Sequence, residues 1–88
     1  MILFLDGREI ASKEHLHCRI KIQLDLPDYY GENLDALWDL LSSESDELLI
    51  RLIHREDMIR SMGEYAESFL ELLEDLKAEN PQITLEIS

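Results

Sequence analysis

The chain has little of what staples, kinks or interrupts a backbone, and less still of positive charge. Cys18 is its only cysteine, so no internal disulfide can form, as suits a reducing compartment. Its three glycines are scattered, which excludes a phosphate-cradling glycine loop. No apolar run approaches the roughly 18–20 residues that a membrane helix needs. Met1-Ile2-Leu3-Phe4-Leu5, followed by Asp6-Gly7, lacks a basic leader and is too short for the apolar part of a signal peptide. A cytoplasmic location is therefore expected. Basic residues number eight against twenty acids, for a formal net charge of −12. A field of that sign repels nucleic acid and anionic membranes, and it attracts a basic partner and speeds its encounter.

What remains is a globular composition. Apolar residues make up 45% of the chain, which argues against disorder. With 88 residues the expectation is one domain, 1–88, around one modest core. A domain of this size buries only about 60–65% of the surface of its unfolded chain, and a deep substrate cavity is hard to fit beside such a core.

The elements alternate along the chain. Met1–Leu5 is an unbroken apolar run and predicts a buried strand, ended by the Asp6-Gly7 turn. Ser12 can cap a helix to about Leu24, with Leu16, Ile20 and Leu24 on one face. Pro27 and Gly31 keep the following segment a loop. Asn33 then caps a second helix to about Leu41, whose apolar face carries Leu34, Leu37, Trp38 and Leu41. Leu48–Ile53 predicts another strand, and Glu56–Met62 a short helical stretch. Beyond Gly63 a long helix runs from about Glu64 to Glu79, with Ala66, Phe69, Leu73 and Leu76 as its stripe. Pro81 closes it, and Ile83, Leu85 and Ile87 alternate with polar residues as a half-buried strand does. Helical crossovers of this length join parallel strands. The order predicts an α/β fold, a three-stranded parallel sheet packed with about four helices.

The acids are unevenly placed. Asp25 to Glu47 holds eight acids and no base; Glu64 to Glu79 holds six acids against Lys77 alone. Asp35 and Asp39 stack four residues apart on the second helix, with Trp38 at the border between that face and the core. Glu67, Glu71, Asp75 and Glu79 follow at successive steps of four on the long helix. Like charges at this spacing cost about 0.2–0.5 kcal/mol per pair, and near a helix C-terminus the macrodipole adds to the cost. Charged runs are ordinarily solvated faces. Solubility alone, however, does not call for carboxylates in unfavourable positions, whereas a surface kept for a cationic partner does. Carboxylates beside Tyr29, Tyr30 and Trp38 also suit an interface better than open solvent.

Other chemistries find little support. Paired carboxylates can run general acid–base or glycosidase reactions, but those need a cleft and a pKa difference between the two groups, and the Asp35/Asp39 helix is short. An enzyme is not expected. His15 and His17, two apart on a helix, point to nearly opposite sides, one a surface and one a border histidine, and cannot share a metal. His54, Glu56 and Asp57 match no metal spacing, and the calcium-loop pattern is absent. Nothing around Cys18 would activate its thiol. No metal or cofactor is expected.

The run Leu26-Pro27-Asp28-Tyr29-Tyr30-Gly31-Glu32-Asn33-Leu34-Asp35-Ala36-Leu37-Trp38-Asp39 resembles the signature of the barstar family of ribonuclease inhibitors. Asp6-Gly7, Ala66-Glu67-Ser68, Lys77-Ala78-Glu79 and Ile83-Thr84 extend the resemblance over the whole chain. The resemblance implies an acidic helix and its preceding loop inserted into the active site of a basic, extracellular-type, barnase-like ribonuclease. It implies that Asp39 fills the phosphate-binding site and meets the catalytic arginines and histidine, with Asp35 as a second interface carboxylate. Tyr29 corresponds to the ring that packs on the catalytic histidine. Gly31, Asn33, Leu34 and Trp38 correspond to neighbouring interface positions, and Asp75 and Glu79 to peripheral acids. The chain departs from the pattern at Asp75, one methylene shorter than the glutamate found there, and over Ser42–Asp46, which lacks a tryptophan. The alternative is a protein of the same fold, with an interaction or immunity role, that neutralises a different basic toxin or a nucleic-acid-binding protein.

Overall fold

A computed structural model describes all 88 residues, Met1–Ser88. Strands β1 (Ile2–Asp6), β2 (Leu48–Ile53) and β3 (Ile83–Ile87) form a parallel sheet in the order β1-β2-β3. Around it lie helices α1 (Lys13–Gln23), α2 (Leu34–Leu41), α3 (Arg55–Met62) and α4 (Glu64–Glu79), with a 3-10 turn at Gly7–Glu9. The α/β architecture, the parallel sheet and the four helices are those the sequence predicts.

Local chemistry sets the boundaries. Ser12 Oγ accepts from the His15 amide at 3.1 Å and starts α1. Asn33 Oδ1 does the same for α2, accepting from the Ala36 amide at 2.8 Å. Gly63, at φ 60° and ψ −130°, turns the chain between α3 and α4 in a conformation that glycine reaches without strain. Gly7 serves close approach instead. A Cβ there would run into the main-chain carbonyl of His54, so the start of α3 can rest directly on the 3-10 turn.

Exposure alternates across the sheet, broken only at Asp6, which is buried next to Leu5. Leu3 and Leu5 of β1, Leu48, Ile50 and Leu52 of β2 and Ile83 of β3 are buried. The register sets Leu3 beside Ile50 and Leu5 beside Leu52, so these side chains share one face. Leu16 and Ile20 of α1, Leu37 and Leu41 of α2, and Ala66, Phe69, Leu73 and Leu76 of α4 complete the same core. Ile2, Phe4, Arg51, Thr84 and Glu86 stand on the other face, exposed. Parallel crossovers are nearly always right-handed, and two of them moving in one direction across a sheet put every helix on the same side, as the single core shared by all four helices requires.

The expectation that Met1–Leu5 is a buried strand is corrected here. β1 lies at the sheet edge with one open face, leaving Ile2 64% and Phe4 44% exposed. Its outer backbone edge is covered at one point. The Phe4 amide donates to Gln23 Oε1 at 2.8 Å, and Gln23 Nε2 donates to the Phe4 carbonyl at 2.8 Å.

Candidate functional site

The acidic segment is built from the inside outward. Leu37 and Leu41 lie fully in the core and fix the rotation of α2. Asp35 and Asp39 consequently point away from it and are exposed. Leu34 and Trp38 are half-buried and pack against the core from the borders.

The loop before α2 is held at two points. Asn33 caps the helix with its Oδ1, and its Nδ2 donates back to the Gly31 carbonyl at 3.2 Å. A Cβ on Gly31 would come within 3.1 Å of that Nδ2 and 3.4 Å of the Ala36 Cβ, so a side chain there would press on the cap. Glu32 takes the turn with φ 52°, a left-handed conformation uncommon outside glycine.

The second point is Tyr30, only 4% exposed, whose hydroxyl meets His17 Nδ1. His17 Nε2 meets the Tyr65 hydroxyl at 2.6 Å, so one imidazole joins α1, the loop and α4. A neutral ring with one donor and one acceptor nitrogen satisfies both hydroxyls. Burial lowers the His17 pKa, against the opposing pull of Glu32 and Glu14, and burial raises the pKa of both tyrosines.

Two expectations are corrected by this arrangement. His17 is neither a surface nor a border residue but wholly buried. Tyr30 is not an interface aromatic; it is the inner anchor that lets Tyr29, 83% exposed, stand out into solvent. The signal for His17 lay in its position three residues before Ile20, which extends the buried stripe of α1.

Tyr29, Gly31 and Asp39 come together, with Tyr30, Ala36 and Leu40, around a shallow concavity of about 220 Å³. Asn33 is exposed at the cap, and Asp35 is exposed one turn before Asp39; neither lines the concavity. Asp75 and Glu79 are exposed on α4, likewise outside it. A larger depression of about 490 Å³ lies at the C-terminal ends of β2 and β3, lined by Ile53, His54, Arg55, Glu56, Asp57 and Ser88. It shares no residue with the acidic face. No three His, Cys, Asp or Glu side chains gather as metal ligands would.

The acids of the two acidic helices are electrostatically unopposed. Carboxylates with a cationic partner within 4.0 Å are confined to Asp6, Glu9, Asp28, Asp57 and Glu86. Asp35, Asp39, Glu67, Glu71, Asp75 and Glu79 have none, and Lys77 is the single base on α2 or α4. Such a face can receive several cationic groups at once, with an aromatic ring at its margin for stacking.

The sequence reading missed Asn80, which it passed over in favour of the helix-stopping Pro81. Asn80 caps α4 with its side chain buried and turned toward the end of α2.

Residues 1–87 match the model of the family described as Barstar (barnase inhibitor). A Bacillus subtilis (strain 168) protein described as "Putative ribonuclease inhibitor YrdF" is 38% identical over 78 residues, covering 88% of this chain and 86% of that protein. No helix is long and apolar enough to cross a membrane.

Proposed function

The chain belongs to the barstar family, and from that premise we propose that it is a cytoplasmic inhibitor, not an enzyme, that blocks the active site of a basic, barnase-type ribonuclease. The observation that carries this reading is the exposed, unpaired Asp39 in one concavity with Tyr29 and Gly31. A ribonuclease cleft is lined with cations that bind the phosphates of RNA. The Asp39 carboxylate stands in for one such phosphate and accepts the same charge-assisted hydrogen bonds. Tyr29 stacks on an imidazole at the cleft margin, and Asp35 takes a second cationic group. Gly31, Asn33, Leu34 and Trp38 fill the contact around them.

Asp75 and Glu79 act at longer range. Their field, summed with that of Glu67 and Glu71, steers a basic enzyme toward α2 and raises the association rate, most strongly at low salt. The central acid, desolvated on binding, supplies a large share of the affinity, an effect for which the barnase–barstar complex is the standing example.

The test is a titration of this protein into a barnase-type ribonuclease while RNA cleavage is followed, with Asp39→Ala alongside. Stoichiometric inhibition that the variant loses supports the reading. An affinity change of less than about tenfold would remove Asp39 from the centre of the interface. No inhibition by the unaltered protein would transfer the acidic face to another basic partner.

A further inference from the structure

We propose that Asn80 is a positioning residue that sets the α2 carboxylates in place against those of α4; the inference rests on α2 being the binding helix. Asn80 is 5% exposed. Its Nδ2 donates to the Leu41 carbonyl at 2.9 Å and to the Glu44 carbonyl at 2.9 Å, across 39 and 36 residues of chain. Its Oδ1 accepts from the Gln82 amide at 2.9 Å. Its own amide donates to Leu76 at 2.8 Å, closing α4. One side chain thus ties the end of α2, the segment after it and the approach to β3 to the last turn of α4.

The tie has work to do. α2 spans eight residues, too few to hold a place by local hydrogen bonds alone. Its last carbonyls have no partner within the helix; Ser42 and Ser43 serve those of Trp38 and Asp39, and that of Leu41 takes a long 3.3 Å bond from the Glu44 amide beside the 2.9 Å bond from Asn80. Repulsion acts in the same region, because Asp39 is in the last full turn of α2 and Asp75 and Glu79 are near the end of α4. A lysine or arginine could bind the same carbonyls, but it would cancel part of the field that attracts a basic partner. The asparagine amide supplies two donors and no charge, so it holds the helices together and leaves the acidic face intact.

The experiment compares Asn80→Ala and Asn80→Asp with Met58→Ala, a buried truncation in α3 away from this junction. All are checked for folding by urea titration and circular dichroism; Asn80→Ser, which keeps one donor, replaces any Asn80 variant that fails to fold. Folded Asn80 variants are expected to weaken ribonuclease inhibition about tenfold, the equivalent of about 1.4 kcal/mol, while Met58→Ala leaves it unchanged. In an Asp39→Ala background the Asn80→Ala loss should shrink to less than about half, because the residue acts through that carboxylate. Unchanged inhibition, or strict additivity with Asp39→Ala, would overturn the proposal.

The free protein separates this proposal from the inhibitor reading. Trp38, the single tryptophan, is on α2. Its emission and the amide resonances of residues 34–44 should move in Asn80→Ala and stay in place in Met58→Ala. That result would support Asn80 placing α2 even if no ribonuclease were inhibited, whereas unmoved α2 resonances would overturn it whatever the inhibition assay reads.

Discussion

The stretch from Leu26 to Glu44 has an inner and an outer face that obey opposite rules. On the inner face every polar group has a partner. His17 lies between two tyrosine hydroxyls, the Asn80 amide binds two carbonyls, and Leu37 and Leu41 are sealed in the core. On the outer face Asp35 and Asp39 stand exposed and unpaired, and Tyr29 projects into solvent next to the buried Tyr30. Stability resides in the first face. The second holds like charges close together, and a cationic partner relieves that repulsion. The difference teaches how to separate the two in experiment: outer substitutions should change binding and spare folding, and inner ones should do the reverse, save at Asn80, whose contacts with the end of α2 reach the binding face.

Asp39→Ala is the sharpest break. It should cost at least ~2 kcal/mol of binding to a barnase-type ribonuclease by inhibition titration. The same variant should unfold no earlier in urea, and removing its repulsion with Asp35 should stabilise α2 by about 0.2–0.5 kcal/mol. A loss in both assays would erase the distinction between the faces. Leu37→Ala, one turn inward, should lower unfolding free energy by about 2–5 kcal/mol in urea titration, through lost burial and the cavity left behind.

His17→Gln probes the inner polar contacts at smaller scale and through pH. Burial holds the His17 pKa in the folded protein below its ordinary 6.5. As pH falls below about 6.5 the unfolded chain takes up a proton that the folded one resists, so stability drops until the folded pKa is passed and then levels off. Urea midpoints between about pH 7 and pH 5 should therefore fall less steeply in His17→Gln than in the unaltered protein. An equal slope would mean that His17 is not the group responsible. Glu71→Gln should have the smallest effect, about a twofold slower association by stopped-flow at low salt that vanishes at high salt, where exposed charges are screened.

Most of the architecture was legible because the signals are local. Ser12 and Asn33 announce their helices, Gly63 and Pro81 bound the long one, and the alternation over Ile83–Ile87 marks a strand. The acidic stripes were legible too, since charge at steps of four needs no tertiary knowledge. What stayed hidden depends on contacts between distant segments. An unbroken run such as Met1–Leu5 looks the same in the middle of a sheet and at its edge, and only the order of strands exposes Ile2 and Phe4. His17 is separated from Tyr65 by 48 residues. The Asn80 tie to Leu41 spans 39, and nothing in an Asn-Pro pair names its distant carbonyls.

The Gln23 contact with Phe4 bears on how such a molecule behaves at high concentration. Its carboxamide occupies both hydrogen-bonding groups at the middle of the β1 edge, much as a neighbouring strand would. The outer backbone of β3 has no comparable side-chain clamp. Growth of a cross-chain ribbon requires two receptive edges per subunit. The carboxamide of Gln23 competes with an incoming strand at Phe4, so the β1 edge is the less receptive of the two.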